Sequence, residues 1–229
     1  MDITRAKDIL DYWFSKGLYT PDYDKWFTKS QDYDEEIREK FADLLKEAEQ
    51  GCGLGWLHSK DSYVAYIILL DQFSRHIYRG SGDSFKNDNG CMIFVELGWQ
   101  MYKRHLKGYE FMFAFMPYMH TECEHYQERG QKEFEEHKSL YQTSGWTANY
   151  VTRPLTDPRQ VSYMGSVDEV TNNDKEYEML KSMEPHVTGH KQTIIQFGRF
   201  PKRNEALGRE STPQEISYME RPEVKKRPY

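Results

Sequence analysis

The chain has 229 residues and a net charge of −6 at neutral pH, with charged residues making up 30% of its length. This acidic balance argues against a nucleic-acid surface as the main partner, although a local basic patch remains in the last third. Hydrophobic residues account for only 38%, but 17 Tyr, 12 Phe and 5 Trp supply apolar area, so we expect a core built on aromatic side chains. The length and the even composition favour one domain.

Cysteine usage and the N-terminal sequence favour the cytoplasm. The three cysteines, Cys52, Cys91 and Cys123, are odd in number and widely spaced, as expected in a reducing compartment. The first residues lack the basic-then-apolar pattern of a signal peptide, and no uninterrupted apolar run approaches the length of a membrane span. We therefore predict a soluble, cytoplasmic protein with no membrane segment.

Helical patterns dominate the first half of the chain. Apolar residues recur at helical spacing over 5–16 and again over 33–49, which predicts two amphipathic helices. Residues 63–78 are nearly continuous in apolar and aromatic residues for their first half and contain neither Pro nor Gly, so we predict a buried helix there. A further helix is expected over 89–106.

The second half is helical on both sides of an irregular stretch. We expect a helix over 110–140 that is bent or broken at Pro117. Residues 143–171 have no clear helical period, so we interpret them as a long loop or a small two-stranded insertion. The helical pattern resumes over 175–183 and again over 189–197.

The last third carries clear start and stop signals. Gly198 stands where a C-cap glycine is expected, and Thr212 opens a capping box with Glu215, with proline at the first helical position. The basic residues 221–229 are predicted to form a flexible tail. We therefore expect a single all-α domain over 1–220, in which antiparallel helical hairpins are joined by turns.

Three charged residues are spaced by four along the predicted buried helix. Asp71, Arg75 and Arg79 share one helical face, and Asp71 can pair with Arg75. Arg79 lies near the helix C-terminus, which leaves it for a ligand or for the carbonyl groups of its own helix. Polar residues that follow an apolar turn are also typical of an internal ion pair, so a structural role for Asp71 and Arg75 stays open.

A second cluster surrounds His120. A neighbouring carboxylate orients a histidine and tunes it towards neutral pH, so His120 with Glu122 or Glu124 is a candidate general acid or base. One alternative is a metal site formed by His120 and Glu124 with His190 or His125, although the spacing lacks the H-E-x-x-H pattern. The other is a solvated helix face with one histidine facing inward.

A loop between two predicted helices is rich in hydrogen-bond donors. The donors are Arg199, Arg203, Asn204 and Arg209. Arginine recognises carboxylate or phosphate through two parallel hydrogen bonds, and loop arginines beside a helix N-terminus can converge on an anion. The loop therefore predicts an oxyanion site, with the alternative that the arginines bind carbonyl groups of neighbouring helices and stabilise the fold.

These three segments together resemble an uncharacterised family, the domain of unknown function 924. The family pattern L-L-D-Q-F-P-R-N-I-x-R-G matches residues 69–80, with Ser74 and His76 in place of its proline and asparagine. The pattern P-x-x-H-S-E-D, followed by Q-E, matches Pro117, His120, Glu122, Gln127 and Glu128, with departures at Thr121 and Cys123. The pattern F-G-R-F-P-H-R-N, then L-G-R and S-T, matches residues 197–204 and 207–212, with Lys202 replacing histidine.

The resemblance runs from Ile9 to Tyr218, except for residues 143–185. It implies a tetratricopeptide-like all-α fold and no established reaction. Tetratricopeptide-like arrays usually present a concave surface to a peptide. A non-catalytic module that binds a peptide partner is therefore the alternative function, and the motif residues would then be ion pairs that stabilise the fold.

We predict that the motif residues meet in one cleft for a small anionic ligand, a carboxylate or a phosphate. The predicted site comprises Asp71, Arg75, Arg79, His120, Glu122, Arg199, Arg203, Asn204 and Arg209. In this hypothesis His120 is the general acid or base, Glu122 orients it, and the arginines bind the anion. The residues do not indicate a cofactor.

Overall fold

Helices make up the regular structure of residues 3–51, 53–141 and 167–225, which are the part of the chain that the computed structural model describes. They form one compact domain, and the described residues contain no strand, so the predicted all-α fold is confirmed. The helices are α1 (Ala6–Trp13), α2 (Tyr23–Phe27), α3 (Gln31–Gln50), α4 (Lys60–Ile67), α5 (Ser74–Ile77), α6 (Asp88–Tyr102), α7 (Tyr109–His120), α8 (Glu124–Ser139), α9 (Val167–Phe197), α10 (Pro213–Met219) and α11 (Pro222–Lys225). Shorter segments are the 3₁₀ turns Ile3–Arg5, Leu54–His58, Gly82–Phe85 and Pro201–Arg203 and the π-helical Ile68–Phe73.

Aromatic side chains fill the core, as the composition predicts. The largest fully buried aromatic residues are Trp13, Trp56, Trp99, Tyr63, Tyr118, Phe73, Phe111, Phe113, Phe115 and Phe134. Edge-to-face pairs are frequent, and the ring centroids of Trp13 and Phe113 are 5.3 Å apart. Such pairs add about 0.5–1.5 kcal/mol beyond the area that they bury. Among the described helices, none combines the length and apolar character that a bilayer span needs.

The buried helix predicted over 63–78 is confirmed, with one irregular stretch in it. The α4 helix, the π-helical Ile68–Phe73 and the short α5 follow one another without a loop. The wider π turn disturbs the regular i→i+4 pairing, and side chains satisfy the carbonyl groups nearby. Ser74 Oγ donates to the carbonyl of Leu70 at 2.6 Å, and Arg75 Nη1 donates to the carbonyl of Asp71 at 2.8 Å. This stretch carries Asp71, which is fully buried.

Two side-chain contacts align α7 with the buried helix. Lys60 Nζ lies 2.6 Å from Glu110 Oε1 near the start of both helices, and Asp71 Oδ1 lies 2.7 Å from His120 Nδ1 further along. Because both contacts follow chain order, the two helices run in the same direction. The C-terminal end of α7 is therefore held beside Asp71.

Helix α9 also runs in the same direction as α7. The backbone N–H of Gly108 donates to Glu176 Oε2 at 2.5 Å, just before α7 begins. The ring centroids of His120 and His190 are 6.3 Å apart, where α7 ends. These two contacts place equivalent turns of α7 and α9 side by side.

The helix break expected at Pro117 falls later in the chain. Pro117 is accommodated inside α7, which ends at His120, and α8 begins at Glu124. Thr121 has extended backbone, and Gln127 Nε2 donates to the carbonyl groups of both Met119 and Thr121 at 2.9 Å. The side chain of Gln127 thus satisfies carbonyl groups at the helix end, which favours a break there.

Helix α9 corrects the expectation of two separate helices after an irregular insertion. It is one helix of 31 residues, begins at Val167 and contains Pro185. The helix therefore starts inside the predicted insertion, 143–171, whose remaining residues up to 166 lie outside the described part of the chain. Gly198 confirms the predicted C-cap, since its φ is +67° and its N–H donates to the carbonyl of Ile194 at 2.7 Å.

The capping box at the start of α10 is also confirmed. Thr212 Oγ1 accepts a hydrogen bond from the N–H of Glu215 at 3.2 Å, and Glu215 Oε2 accepts one from the N–H of Thr212 at 2.7 Å. Within the predicted flexible tail, α11 forms a short helix whose Val224 is buried. Residues 226–229 lie outside the described part.

Two glycines of α6 are expected to respond in opposite ways to alanine. A Cβ atom at Gly98 would lie 2.4 Å from the ring of Tyr63, which is fully buried, whereas a Cβ at Gly90 meets nothing within 4 Å. Alanine favours a helix over glycine by up to about 1 kcal/mol, so Gly90→Ala should raise the free energy of unfolding. Overpacking should make Gly98→Ala lower it by about 1–3 kcal/mol, measured by urea denaturation. A stabilised Gly98→Ala variant would contradict the close contact with Tyr63.

Candidate functional site

A cleft of about 430 Å³ lies between α7 and α9. From α7 its lining takes Tyr109, Met112, Met116, Met119 and His120, and from α9 it takes Ser182, Met183, His186, Gly189, His190 and Thr193. In both sets most neighbours are three or four residues apart, so each helix presents one face to the cleft. The two faces form opposite walls because the helices run side by side.

The remaining sides of the cleft come from several other elements. Helix α2 contributes Tyr23, Trp26 and Phe27. The buried helix contributes Gln72, Arg75 and His76, and the turn that follows it contributes Arg79. Further lining residues include Phe85, Phe200 and Lys202. Among the described residues that line the cleft, four are histidines and three are Arg or Lys, but none is Asp or Glu.

His120 is held by Asp71, at the C-terminal end of α7. Burial by itself would raise the pKa of Asp71, but the positive charge of Arg75 and the interaction with His120 outweigh it and hold that pKa below its usual range. Asp71 is therefore a carboxylate, and His120 Nδ1 donates to its Oδ1 at 2.7 Å. This leaves Nε2 of the neutral ring as an acceptor, and within the described residues Nε2 has no hydrogen-bond partner.

Burial also favours the neutral form of His120 and of His190, which face each other across the cleft. It lowers the pKa of His120 below the ordinary value of 6.5, even though Asp71 acts in the opposite direction. Burial and then the nearby His120 lower the pKa of His190. Because Nδ1 of His190 lies 2.7 Å from the carbonyl of His186, it donates there, and its Nε2 is also an acceptor. Two neutral imidazoles thus stand at the same end of the cleft.

Arg75 and Arg203 share one carboxylate behind the cleft. Arg75 Nη1 and Nη2 both lie 3.0 Å from Asp88 Oδ1, and Arg203 Nη1 lies 2.9 Å from Asp88 Oδ2. Arg75 Nη2 is also 3.4 Å from Asp71 Oδ1, so the predicted pair of Asp71 with Arg75 is present. Two carboxylates and two guanidinium groups therefore form a group with no net charge, which we call the four-charge network.

Two aromatic rings contact the guanidinium group of Arg203, in addition to its ion pair with Asp88. Its Cζ atom lies 4.5 Å from the ring centroid of Phe85 and 4.6 Å from that of Phe200. Its Nη2 donates to the carbonyl of His120 at 2.9 Å, and so offsets the partial negative charge at the end of α7. These contacts indicate that Arg203 stabilises the fold.

The other predicted arginines also have acidic partners. Arg79 pairs with Asp34, with 2.8 Å between Nη2 and Oδ1, rather than with the carbonyl groups of its helix. Its Nη1 has no partner among the described residues. Arg199 Nε lies 2.7 Å from Glu215 Oε1, outside the cleft lining.

Glu122 does not orient His120, which corrects the predicted catalytic pair. Its two oxygens lie 2.7 and 3.0 Å from Arg209 Nη1 and Nη2, and one of them accepts from the N–H of Phe200 at 2.8 Å. Burial would raise the pKa of Glu122, but the hydrogen bonds from Arg209 and from Phe200 N–H lower it. Glu122 therefore anchors the arginine-rich loop, and Asp71 takes the role predicted for it.

The predicted site residues do not meet in one cleft. Arg75, Arg79 and His120 line the cleft, whereas Glu122 and Arg203 line a second cavity of about 600 Å³. Neither cavity is lined by Asp71, Arg199, Asn204 or Arg209. Asn204 instead donates through Nδ2 to Ser211 Oγ at 3.0 Å.

The sequence patterns do not reveal the roles of three residues, Asp34, Asp88 and His190. Asp34 and Asp88 belong to no recognisable motif, because each reaches its arginine from a different element. His190 was considered only as a metal ligand. In the described part of the chain, no three His, Cys, Asp or Glu residues are grouped so that they could hold a metal ion.

Fold and site define a helical protein with a cleft between two of its helices and a histidine–aspartate pair at one end of that cleft. The chain belongs to the family described as bacterial protein of unknown function (DUF924), whose sequence profile matches residues 9–223. The solved structure of a protein of unknown function, ATU0120 from Agrobacterium tumefaciens, is similar to it with a TM-score of 0.68 and 26% identity, covering 95% of this chain and 97% of that chain. No curated protein matches the chain. The family resemblance is confirmed, and it brings no reaction with it.

Proposed function

We propose that this protein binds a small anionic ligand in the cleft and uses His120 as a general base or acid on it. The Asp71–His120 pair carries this proposal. The buried carboxylate fixes the tautomer of the ring, and the free Nε2 belongs to a residue of the cleft wall. A neutral histidine in this arrangement accepts a proton from a bound molecule and later returns it.

The polarity of the lining supports an anion. The described lining residues include three cationic side chains and no carboxylate. Arg79 Nη1 and Arg75 Nε have no hydrogen-bond partner among the described residues, although both guanidinium groups are held by acids elsewhere. Each arginine can therefore donate to a ligand while it keeps its structural partner.

The size and the apolar walls of the cleft support a small molecule. Small-molecule sites usually occupy about 300–1,000 Å³ and are mainly apolar with a few placed polar groups, which describes this cleft. Charges and hydrogen bonds beside apolar walls act more strongly than those on a fully exposed surface, because the local dielectric is lower.

A charge placed in the middle of the lining tests the proposal. Met116→Glu introduces a carboxylate where the wild-type lining has none, and Met116 is half-buried, so the new side chain can stay hydrated. We expect the variant to bind anions at least tenfold more weakly, because the new carboxylate repels a bound anion across a partly apolar cleft. Thermal-shift and calorimetric screens of carboxylates and phosphates measure this.

The matched control carries the same change on the surface. Met101 is 51% exposed on α6 and does not line the cleft, so Met101→Glu should bind anions as the wild type does. If no carboxylate or phosphate binds the wild type, or if Met116→Glu binds them equally well, the proposed function is wrong.

The alternative, a non-catalytic module that binds a peptide partner, is favoured by a different observation. The motif arginines have acidic partners, as that hypothesis expects of residues that stabilise the fold. That hypothesis does not explain why a buried carboxylate holds an imidazole acceptor in the wall of a cleft. A ligand screen without any binding, together with a large loss of stability when the motif arginines are replaced by alanine, would favour this alternative.

A further inference from the structure

The cleft is elongated. Tyr109 and His120 are the first and last α7 residues of its lining, and Ser182 and Thr193 are those of α9. Each pair is separated by eleven residues, which corresponds to about 16 Å along an α-helix. Since α7 and α9 run side by side, both walls extend over this length in the same direction.

One end of the cleft is apolar. Around Tyr109 and Met112 the lining comes from the aromatic residues of α2, and the ring centroids of Trp26 and Tyr109 are 4.7 Å apart. On the opposite wall, Ser182 and Met183 are the first lining residues of α9, and Met183 supplies the apolar surface there. At this end the lining therefore consists mainly of aromatic rings and methionine side chains.

The other end of the cleft is polar. It is formed by His120 and His190 on the two walls and by Arg75, which shares Asp71 with His120. Arg79 also lines the cleft, from the turn that follows the buried helix. Between the two ends, Met116 and Met119 continue the α7 wall. Methionine side chains are flexible and polarisable, so they adapt to the shape of a bound chain.

We propose that the cleft binds an elongated amphipathic anion, an unbranched alkyl chain with a carboxylate or phosphate head. The head lies at the polar end of the cleft, and the chain extends along the methionines of α7 towards Trp26. This inference rests on the proposed function for the position of the head. It adds the shape and the chemical class of the rest of the ligand.

A series of straight-chain acids tests the elongated shape. Isothermal titration of the wild-type protein with acetate, butanoate, hexanoate, octanoate and decanoate should show about fourfold tighter binding for each added methylene, until the cleft is full. Octanol and octylamine, which lack the anionic head, should bind at least tenfold more weakly than octanoate. Parallel titrations with straight-chain alkyl phosphates show which head is preferred.

A bulky residue at the apolar end should shorten the preferred chain. Met112→Trp is expected to weaken decanoate binding at least tenfold and to leave butanoate binding unchanged, because only the longer chain reaches Met112. If that variant does not fold, Met183→Phe on the opposite wall makes the same test. Met101→Trp, on the surface of α6, is the control and should keep the wild-type preference.

The outcomes separate this inference from the proposed function. If acetate and butanoate bind as tightly as octanoate, or if Met112→Trp and Met183→Phe leave the chain-length preference unchanged, the elongated ligand is wrong while the anion site survives. If neutral and cationic chains bind as well as octanoate, the anionic head is wrong, and the proposed function fails with it. If no straight-chain acid or alkyl phosphate binds, the elongated ligand is wrong, and the wider screen of carboxylates and phosphates decides the proposed function.

Discussion

Replacing Asp88 by alanine is expected to lower the free energy of unfolding by about 3–5 kcal/mol, because breaking a buried ion pair leaves uncompensated charge. Asp88 is 6% exposed and is shared by Arg75 and Arg203. Its removal gives the four-charge network a net positive charge, with two guanidinium groups that cannot reach water freely. Urea denaturation followed by circular dichroism measures the loss.

An exposed aspartate serves as the control for this experiment. Asp43 is paired with Lys46 at 3.7 Å, and its side chain is fully accessible, so Asp43→Ala should change the stability by no more than about 0.5 kcal/mol. If Asp88→Ala is as mild as Asp43→Ala, the four-charge network does not stabilise the fold in the way that we describe.

Replacing His120 by glutamine is expected to reduce turnover about 10²–10⁴-fold for any ligand that the protein converts, because a general base is removed. The contact of Arg203 with residue 120 uses the backbone carbonyl, so the variant keeps it. Binding of unreactive anions should change far less than the rate constant. His125→Gln, on an exposed histidine outside the cleft lining, should leave turnover as it is.

The pH profile of the wild type gives an independent check on His120. A general base acts in its deprotonated form, and burial holds the pKa of His120 below 6.5. The midpoint of the decline in turnover towards acid pH should therefore lie below pH 6.5. Unchanged turnover in His120→Gln, or a decline with its midpoint above pH 6.5, would show that another group performs the chemistry.

Local features of the fold could be predicted from the sequence. The capping box of Thr212 and Glu215 and the C-cap at Gly198 depend on neighbouring residues, and both form as expected. The contact of Asp71 with Arg75 follows from their spacing of four residues on a helix. Such signals are short in range, so one sequence contains all the information that they need.

The partners in the site could not be predicted in the same way. His120 was assigned to Glu122 because the two are close in sequence, but its carboxylate comes from Asp71, 49 residues earlier. Arg203 pairs with Asp88, which is 115 residues away. Such pairs depend on how whole helices are aligned, and no spacing rule encodes that alignment.

The shape of the cleft was missed for a related reason. Met112, Met116 and Met119 occur at helical spacing, which is equally typical of a hydrophobic core. Their role as a cleft wall depends on the distance and direction of α9, whose start lies in a stretch that was predicted to be irregular.

The π-helical Ile68–Phe73 accommodates one residue more than a regular α-helix would hold in the same stretch. A π turn is equivalent to one extra residue inserted into an α-helix, and each residue turns a helix by about 100°. Deleting one residue here would restore a regular helix. It would also rotate the following turn by about 100° relative to the preceding one, and so move Arg75 away from Asp88 and Arg79 away from Asp34. The helix would tolerate that deletion better than these two ion pairs would, so one residue of chain length here decides whether Arg75 and Arg79 reach their partners.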